Sequence, residues 1–163
     1  MKKPTSPDIE GPFYRPNAPE KNDLFIAAPG TKPLIFLGRV ISTQEIPLEA
    51  DVELWHADQD GNYDNTGYRY RGLVKANEEG EFDFLTILPG RYLNGKQWRP
   101  AHLHFRIVCQ GYRELVTQLY FKGDPYNSID PWYDSKREIE VIKSGNARTV
   151  CYEFVLQPSP SDA

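Results

Sequence analysis

Two of the chain's three histidines, His102 and His104, stand one residue apart in the run Arg99-Pro100-Ala101-His102-Leu103-His104-Phe105. On a β-strand, residues two apart project from one face with Cα atoms about 6.5–7 Å apart. Both imidazoles could then converge on one ion at about 2.0–2.2 Å. The same spacing also suits a polar, solvated strand face, and spacing by itself leaves both readings open. The third histidine, His56, lies at a strand end in Glu53-Leu54-Trp55-His56-Ala57-Asp58 and is expected to satisfy a local hydrogen bond.

The remaining donors decide which metal such a pair would take. No cysteine cluster and no HExxH motif accompany the histidines, which disfavours structural zinc and metalloprotease chemistry. Tyr63, in Asp60-Gly61-Asn62-Tyr63-Asp64, and Tyr92, in Leu88-Pro89-Gly90-Arg91-Tyr92, stand out as tyrosines in turn contexts. Either, taken alone among ten, reads as a packing residue. A phenol titrates near pH 10, so a tyrosine becomes a phenolate ligand at neutral pH only beside a strong cation.

These side chains need a scaffold, and the sequence supplies short alternating runs. Candidate strands span residues 33–41, 50–58, 69–76, 80–87, 101–109, 114–121 and 148–157, with turn signals at Asp60-Gly61, Glu79-Gly80 and Pro89-Gly90 between them. Phe82 and Phe84 alternate with Glu81 and Asp83, giving one dry and one wet face. The pattern predicts an all-β sandwich of short, mostly antiparallel strands. Residues 134–143 read as the one short helical turn. Residues 1–33 hold seven of the fourteen prolines and read as an extended arm packed on the domain. Residues 34–158 then form the catalytic sandwich, and residues 159–163 a disordered tail.

A net charge of −4 with no basic run beyond Lys2-Lys3 argues against nucleic acid and membrane surfaces as partners. A small-molecule substrate and a cytoplasmic location are the expectation, with no apolar leader behind Met1. An exposed sheet face leaves a homo-oligomer open. Cys109 and Cys151 form no CxxC pair and are expected to be buried thiols, a bridge between neighbouring strands being the alternative.

The blocks GPFY (11–14), LGRV (37–40), VELWHADQDGNYD (52–64), YRYRG (68–72), GEFDFLTILPGRY (80–92), WRPAHLHF (98–105) and TQLYFKGDP (117–125) together resemble the intradiol ring-cleavage dioxygenases. The resemblance covers about residues 9 to 126. It implies one non-haem ferric iron, Fe(3+), per chain, held by Tyr63, Tyr92, His102 and His104. It also implies a catechol-type substrate cleaved with O2 between its hydroxylated carbons. By the same resemblance Arg99 stabilises negative charge on the ring, Gln118 is a pocket-wall donor, and Tyr92 is the tyrosinate displaced by substrate. Gly11, Pro12, Tyr14 and Trp98 become candidate substrate contacts, Trp55 reads as core, and Arg15 or Arg91 could meet a ring carboxylate. Members usually carry an N-terminal helical segment, for which this chain has no room, so a short form is implied. The competing readings are a metal-free, transthyretin-like β-sandwich binding module and a cupin-like His-x-His enzyme with a divalent ion.

Overall fold

A computed structural model describes residues 1–160 of the chain, and the far end of the expected tail, 161–163, lies outside the described residues. Eleven strands form: β1 (Pro33–Ser42), β2 (Asp51–Trp55), β3 (Arg71–Lys75), β4 (Glu81–Ile87), β5 (Tyr92–Asn94), β6 (Gln97–Arg99), β7 (His102–Val108), β8 (Leu115–Phe121), β9 (Glu138–Ile139), β10 (Ile142–Ser144) and β11 (Ala147–Leu156). They build an all-β sandwich. One sheet runs β10-β11-β1-β4, the other β3-β2-β7-β8-β9, and β5-β6 is a separate hairpin. Most pairs are antiparallel, but β1 and β11 pair in parallel from Ile35↔Thr149 to Ser42↔Leu156. No helix among the described residues is long and apolar enough to cross a membrane.

The alternation seen in the sequence becomes the core. Phe36 and Phe154 from one sheet meet Phe105 from the other, each with ring centroids 4.9 Å apart, and all three are fully buried. Burying each aromatic contributes about 1.5–3 kcal/mol. On β7 it is Leu103, Phe105 and Ile107 that enter this core. Period-two geometry therefore turns His102 and His104 to the opposite, outer face of the five-stranded sheet.

That outer face is not solvated, because the proline-rich arm crosses it. The arm bonds both sheets at one side, through Thr5 N–H to Val155 O (3.0 Å) and Asp8 N–H to Val116 O (2.9 Å). At the other side Leu73 N–H bonds Pro19 O (2.9 Å), and Leu24 N–H bonds Leu85 O (2.8 Å). These last contacts cover β3 and β4, one edge strand of each sheet.

Two local expectations are corrected. Residues 134–143 form a single 3₁₀ turn, Ser135–Arg137, followed by β9 and the start of β10. Asp134 caps the turn by accepting from Lys136 N–H, but Ile139 is drawn into the core and continues the chain as strand beside β8. Neither cysteine is fully buried or bridged. Cys109 is half-buried, and Cys151 is exposed because its place on β11 points outward beside Leu37.

Candidate metal centre

Sheet register assembles the floor of the site. Cross-strand pairing sets Arg71, Trp55, His104 and Gln118 in one row over β3, β2, β7 and β8, with His102 opposite Tyr120 in the next. Trp55, expected in the core, is buried on the opposite, outer face instead, where its ring stacks on His104 at 4.9 Å and 11°. The loop between β2 and β3 brings in Tyr63. Its Asp60-Gly61 turn, with Gly61 at φ +84°, presses so closely on the Arg91 carbonyl that a Cβ has no room. Gly90 N–H also bonds Asp58 O at 2.8 Å. The tyrosine-bearing loops are thereby held together, and the β5-β6 hairpin pairs Tyr92 with Arg99.

Three donor atoms converge. Tyr63 Oη lies 3.0 Å from His104 Nε2 and 3.3 Å from His102 Nε2, and the two Nε2 atoms are 3.1 Å apart. Donors held near right angles around one centre at about 2.0–2.2 Å have edges of about 3 Å. His102 Nδ1–H donates to Pro100 O at 2.8 Å, which leaves its Nε2 as a bare lone pair pointing at the other two donors. His104 Nδ1 is buried without a partner. Such a cluster fits a cation at the shared point. Among the described residues no group of three His, Cys, Asp or Glu side chains could hold a metal, so an ion here draws on phenolic oxygen. Tyr92, the fourth expected ligand, stands edge-on to Tyr63 with ring centroids 6.0 Å apart and is not part of this triangle.

Burial sets the protonation states. His102 falls to about 3, first by desolvation and then by the Arg99 charge, and His104 falls well below its ordinary value for the same reasons plus His102. Both imidazoles are therefore neutral and available as ligands at pH 7. Burial pushes the Tyr63 phenol far up, with the Arg99 and Arg71 charges pulling it back. Its ionisation requires a further positive charge at the site.

Around the donors, Arg99 is buried, with Nη1 3.4 Å from His102 Nε2 and Nη2 donating to Gln118 Oε1 at 2.8 Å. Gln118 is fully buried and donates to the Ile9 carbonyl of the arm. Gly11 sits over His104 at φ +78°, and an added Cβ would lie 3.4 Å from His104 Cε1. Pro12 is exposed, whereas Tyr14 packs edge-on to Trp55 at 4.9 Å. Trp98, 42% exposed, joins Phe13, Tyr63, Tyr92 and Leu93 on a groove of about 280 Å³. Grooves of about 700 and 680 Å³ lie along strand faces around Cys151 and around Lys75 and hold no converging donors.

The expected His56 hydrogen bond is present, to Ala57 O and Thr86 Oγ1, each at 2.7 Å. Arg91 lines the same groove, with its Nε turned to Asp124 at 3.2 Å, whereas Arg15 donates to Gly67 O. Sequence reasoning passed over Phe13, which stacks on Tyr63 (4.2 Å, 8°) and meets Tyr92 edge-on (5.3 Å). It also passed over Tyr120 and Asp130. Tyr120 could have been found, two residues along the strand from Gln118; Asp130 had no local signal.

A family profile described as Dioxygenase matches residues 9–158. A chlorocatechol 1,2-dioxygenase of Rhodococcus opacus is 34% identical over 94% of this chain and 72% of its own length. A 6-chlorohydroxyquinol 1,2-dioxygenase of Cupriavidus pinatubonensis is 33% identical over 95% of this chain and 65% of its own. Among solved structures, the dioxygenase domain of a dioxygenase carbohydrate-binding protein fusion from the cellulolytic bacterium Streptomyces sp. SirexAA-E superposes with a TM-score of 0.89. It is 33% identical and covers 96% of this chain and 100% of that one.

Proposed function

Because the chain belongs to the intradiol ring-cleavage dioxygenases, an oxidoreductase family, we propose that Tyr63, Tyr92, His102 and His104 together hold one non-haem ferric iron. The reaction is then cleavage of a catechol-type ring by O2 between its two hydroxylated carbons, giving a muconate-type diacid. The observation that carries this reading is the triangle of Tyr63 Oη, His102 Nε2 and His104 Nε2, with edges of 3.0 to 3.3 Å. When bound there, ferric iron supplies a Lewis acid that keeps phenolic oxygens deprotonated and draws electron density from a chelated catechol.

The chain's own residues do the rest. Tyr92, the phenol outside the donor triangle, is the oxygen that would take up a catechol proton, while Tyr63 stays in place stacked on Phe13. Arg99 Nη1, beside His102, faces the charge that develops on the opening ring. Gln118 ties that guanidinium to the arm, and Gly11, Phe13, Tyr14 and Trp55 exclude water from the donors. In this reading the arm, residues 1–33, works as part of the catalytic unit built on residues 34–158.

The groove beside Tyr92 is walled by Phe13, Leu93 and Trp98. With Arg15 bonded to Gly67 O and Arg91 paired through Nε with Asp124, this mainly aromatic wall is the ground for proposing uncharged catechols over protocatechuate. The two relatives named above act on chloro- and chlorohydroxy-substituted rings.

The test pairs colour with turnover. Iron-loaded protein should show a visible tyrosinate-to-iron charge-transfer band, consume O2 with catechol or chlorocatechol, and release a ring-opened diacid carrying both atoms of labelled O2. Protocatechuate should be turned over at least tenfold more slowly. An iron-replete but colourless preparation would refute the donor assignment.

A further inference from the structure

Arg99 is more tightly held than a site cation needs to be merely to exist. Its Nε–H donates to Asp130 Oδ2 at 2.7 Å, and the two side chains are 6% and 0% exposed. Its Nη2 is committed to Gln118 Oε1 (2.8 Å), with Asp130 Oδ1 at 3.5 Å. The guanidinium carbon lies 4.6 Å from the centroid of the Trp132 ring. Asp130 is fixed in turn, because Trp132 N–H donates to its Oδ1 at 2.8 Å. The preceding 3₁₀ turn, Asn127–Ile129, is pinned to the end of β8 by Asn127 Nδ2–H donating to Phe121 O (2.8 Å). One nitrogen, Nη1, is left facing the donor cluster, 3.4 Å from His102 Nε2.

We infer that Asp130 is a positioning residue for the ring-opening reaction: its buried carboxylate, together with the Trp132 ring, fixes the Arg99 guanidinium so that only Nη1 is presented to substrate. The inference rests on the reading of Arg99 as the group that faces developing charge. A buried arginine without a counter-ion would seek water or another acceptor, and its flexible stem would carry Nη1 away from the donor cluster. Held from Nε by a carboxylate that cannot itself move, the cation is set before the ring charge forms and needs no reorganisation during the step. A displacement of about 1 Å of such a group costs up to about a hundredfold in rate.

The test uses the iron-loaded enzyme and four proteins: wild type, Asp130→Asn, Arg99→Ala and the double variant. Asp130→Asn should keep the wild-type iron content and visible band. It should bind catechol without oxygen, followed by the shift of that band, within about threefold of wild type, yet lose about ten- to a hundredfold in kcat. The double variant should be no slower than Arg99→Ala, since the carboxylate acts only through the guanidinium. Wild-type turnover in Asp130→Asn, or losses that multiply in the double variant, would overturn the inference. Should Asp130→Asn fail to fold, Asp130→Glu is read in the same cycle, since it keeps the charge but moves the carboxylate by one methylene. Normal turnover in Arg99→Ala would instead refute the role proposed for Arg99 itself.

Discussion

Tyr63 is the residue on which the site's chemistry turns, because its oxygen is buried among two neutral imidazoles and cannot ionise without added positive charge. Its removal can be separated from that of Tyr92. Tyr63→Phe deletes one corner of the donor triangle and should weaken iron binding by more than about a hundredfold, beyond the range for losing an outer-shell partner. Tyr92→Phe, outside the triangle, should retain iron more firmly and shift the visible band while slowing turnover. Iron content after dialysis against a chelator distinguishes them, and equal loss from both variants would contradict the different roles. Gly11 matters for a different reason. An alanine there must adopt φ near +78° with its methyl against His104, at a cost of about 1–2 kcal/mol from the left-handed backbone alone. Gly11→Ala should therefore lower both the melting temperature and the rate.

The arm behaves as an element of the sandwich although it contains no strand. Arg137 from the 3₁₀ turn and Asp8 from the arm form an ion pair whose side chains are 5% and 2% exposed. Tyr120 Oη–H donates to the same carboxylate at 2.7 Å, and Arg137 Nη1 also donates to Gln118 O. Asp8→Ala would leave the buried guanidinium with only its longer pairing to Asp134, Nε to Oδ2 at 3.9 Å, and up to about 3–5 kcal/mol of destabilisation is expected in denaturant unfolding. A loss below about 1 kcal/mol would mean that the arm is only laid on the surface. The longer strands were legible from alternation, as in Glu81–Ile87, whereas the His-x-His spacing and the tyrosines in glycine turns only marked candidates, which the family resemblance joined into one proposed ligand set. The network behind them was not legible. Asp8 meets Arg137 and Asp130 meets Arg99 across 129 and 31 residues, and no period or motif marks a partner at that distance. The β5-β6 hairpin, with three-residue strands, is too short for alternation to register. Residues 134–143 misled because helix-favouring Lys, Arg and Glu side chains outweighed Ile139, whose burial beside β8 decides the local structure.

At the scale of the whole molecule, two sheets must stay in register for donors from β7 and from separate loops to meet, and His56 helps to join them. It follows the last residue of β2 in one sheet, and its Nε2 bonds Thr86 Oγ1 on β4 of the other at 2.7 Å, while Nδ1–H donates to Ala57 O. These contacts suit the neutral imidazole, and burial lowers its pKa to about 4, with the Arg71 charge adding to the effect. In the unfolded chain the same imidazole takes up a proton below about pH 6.5. The unfolded state therefore binds more protons than the native state between about pH 6.5 and 4. The resulting stability is complete above that window and is lost as the pH falls through it. For one group the slope is at most about 1.4 kcal/mol per pH unit. Urea unfolding of iron-free wild type and His56→Gln at a series of pH values from 7 to 4 isolates this share, because the other buried histidines are common to both proteins. The variant should be less stable at pH 7 and should lose stability less steeply on acidification, so that the two curves converge toward pH 4. Parallel curves would show that His56 takes up its proton at the same pH in the native sandwich as in the unfolded chain, so that the bond between the sheets does not hold the ring neutral.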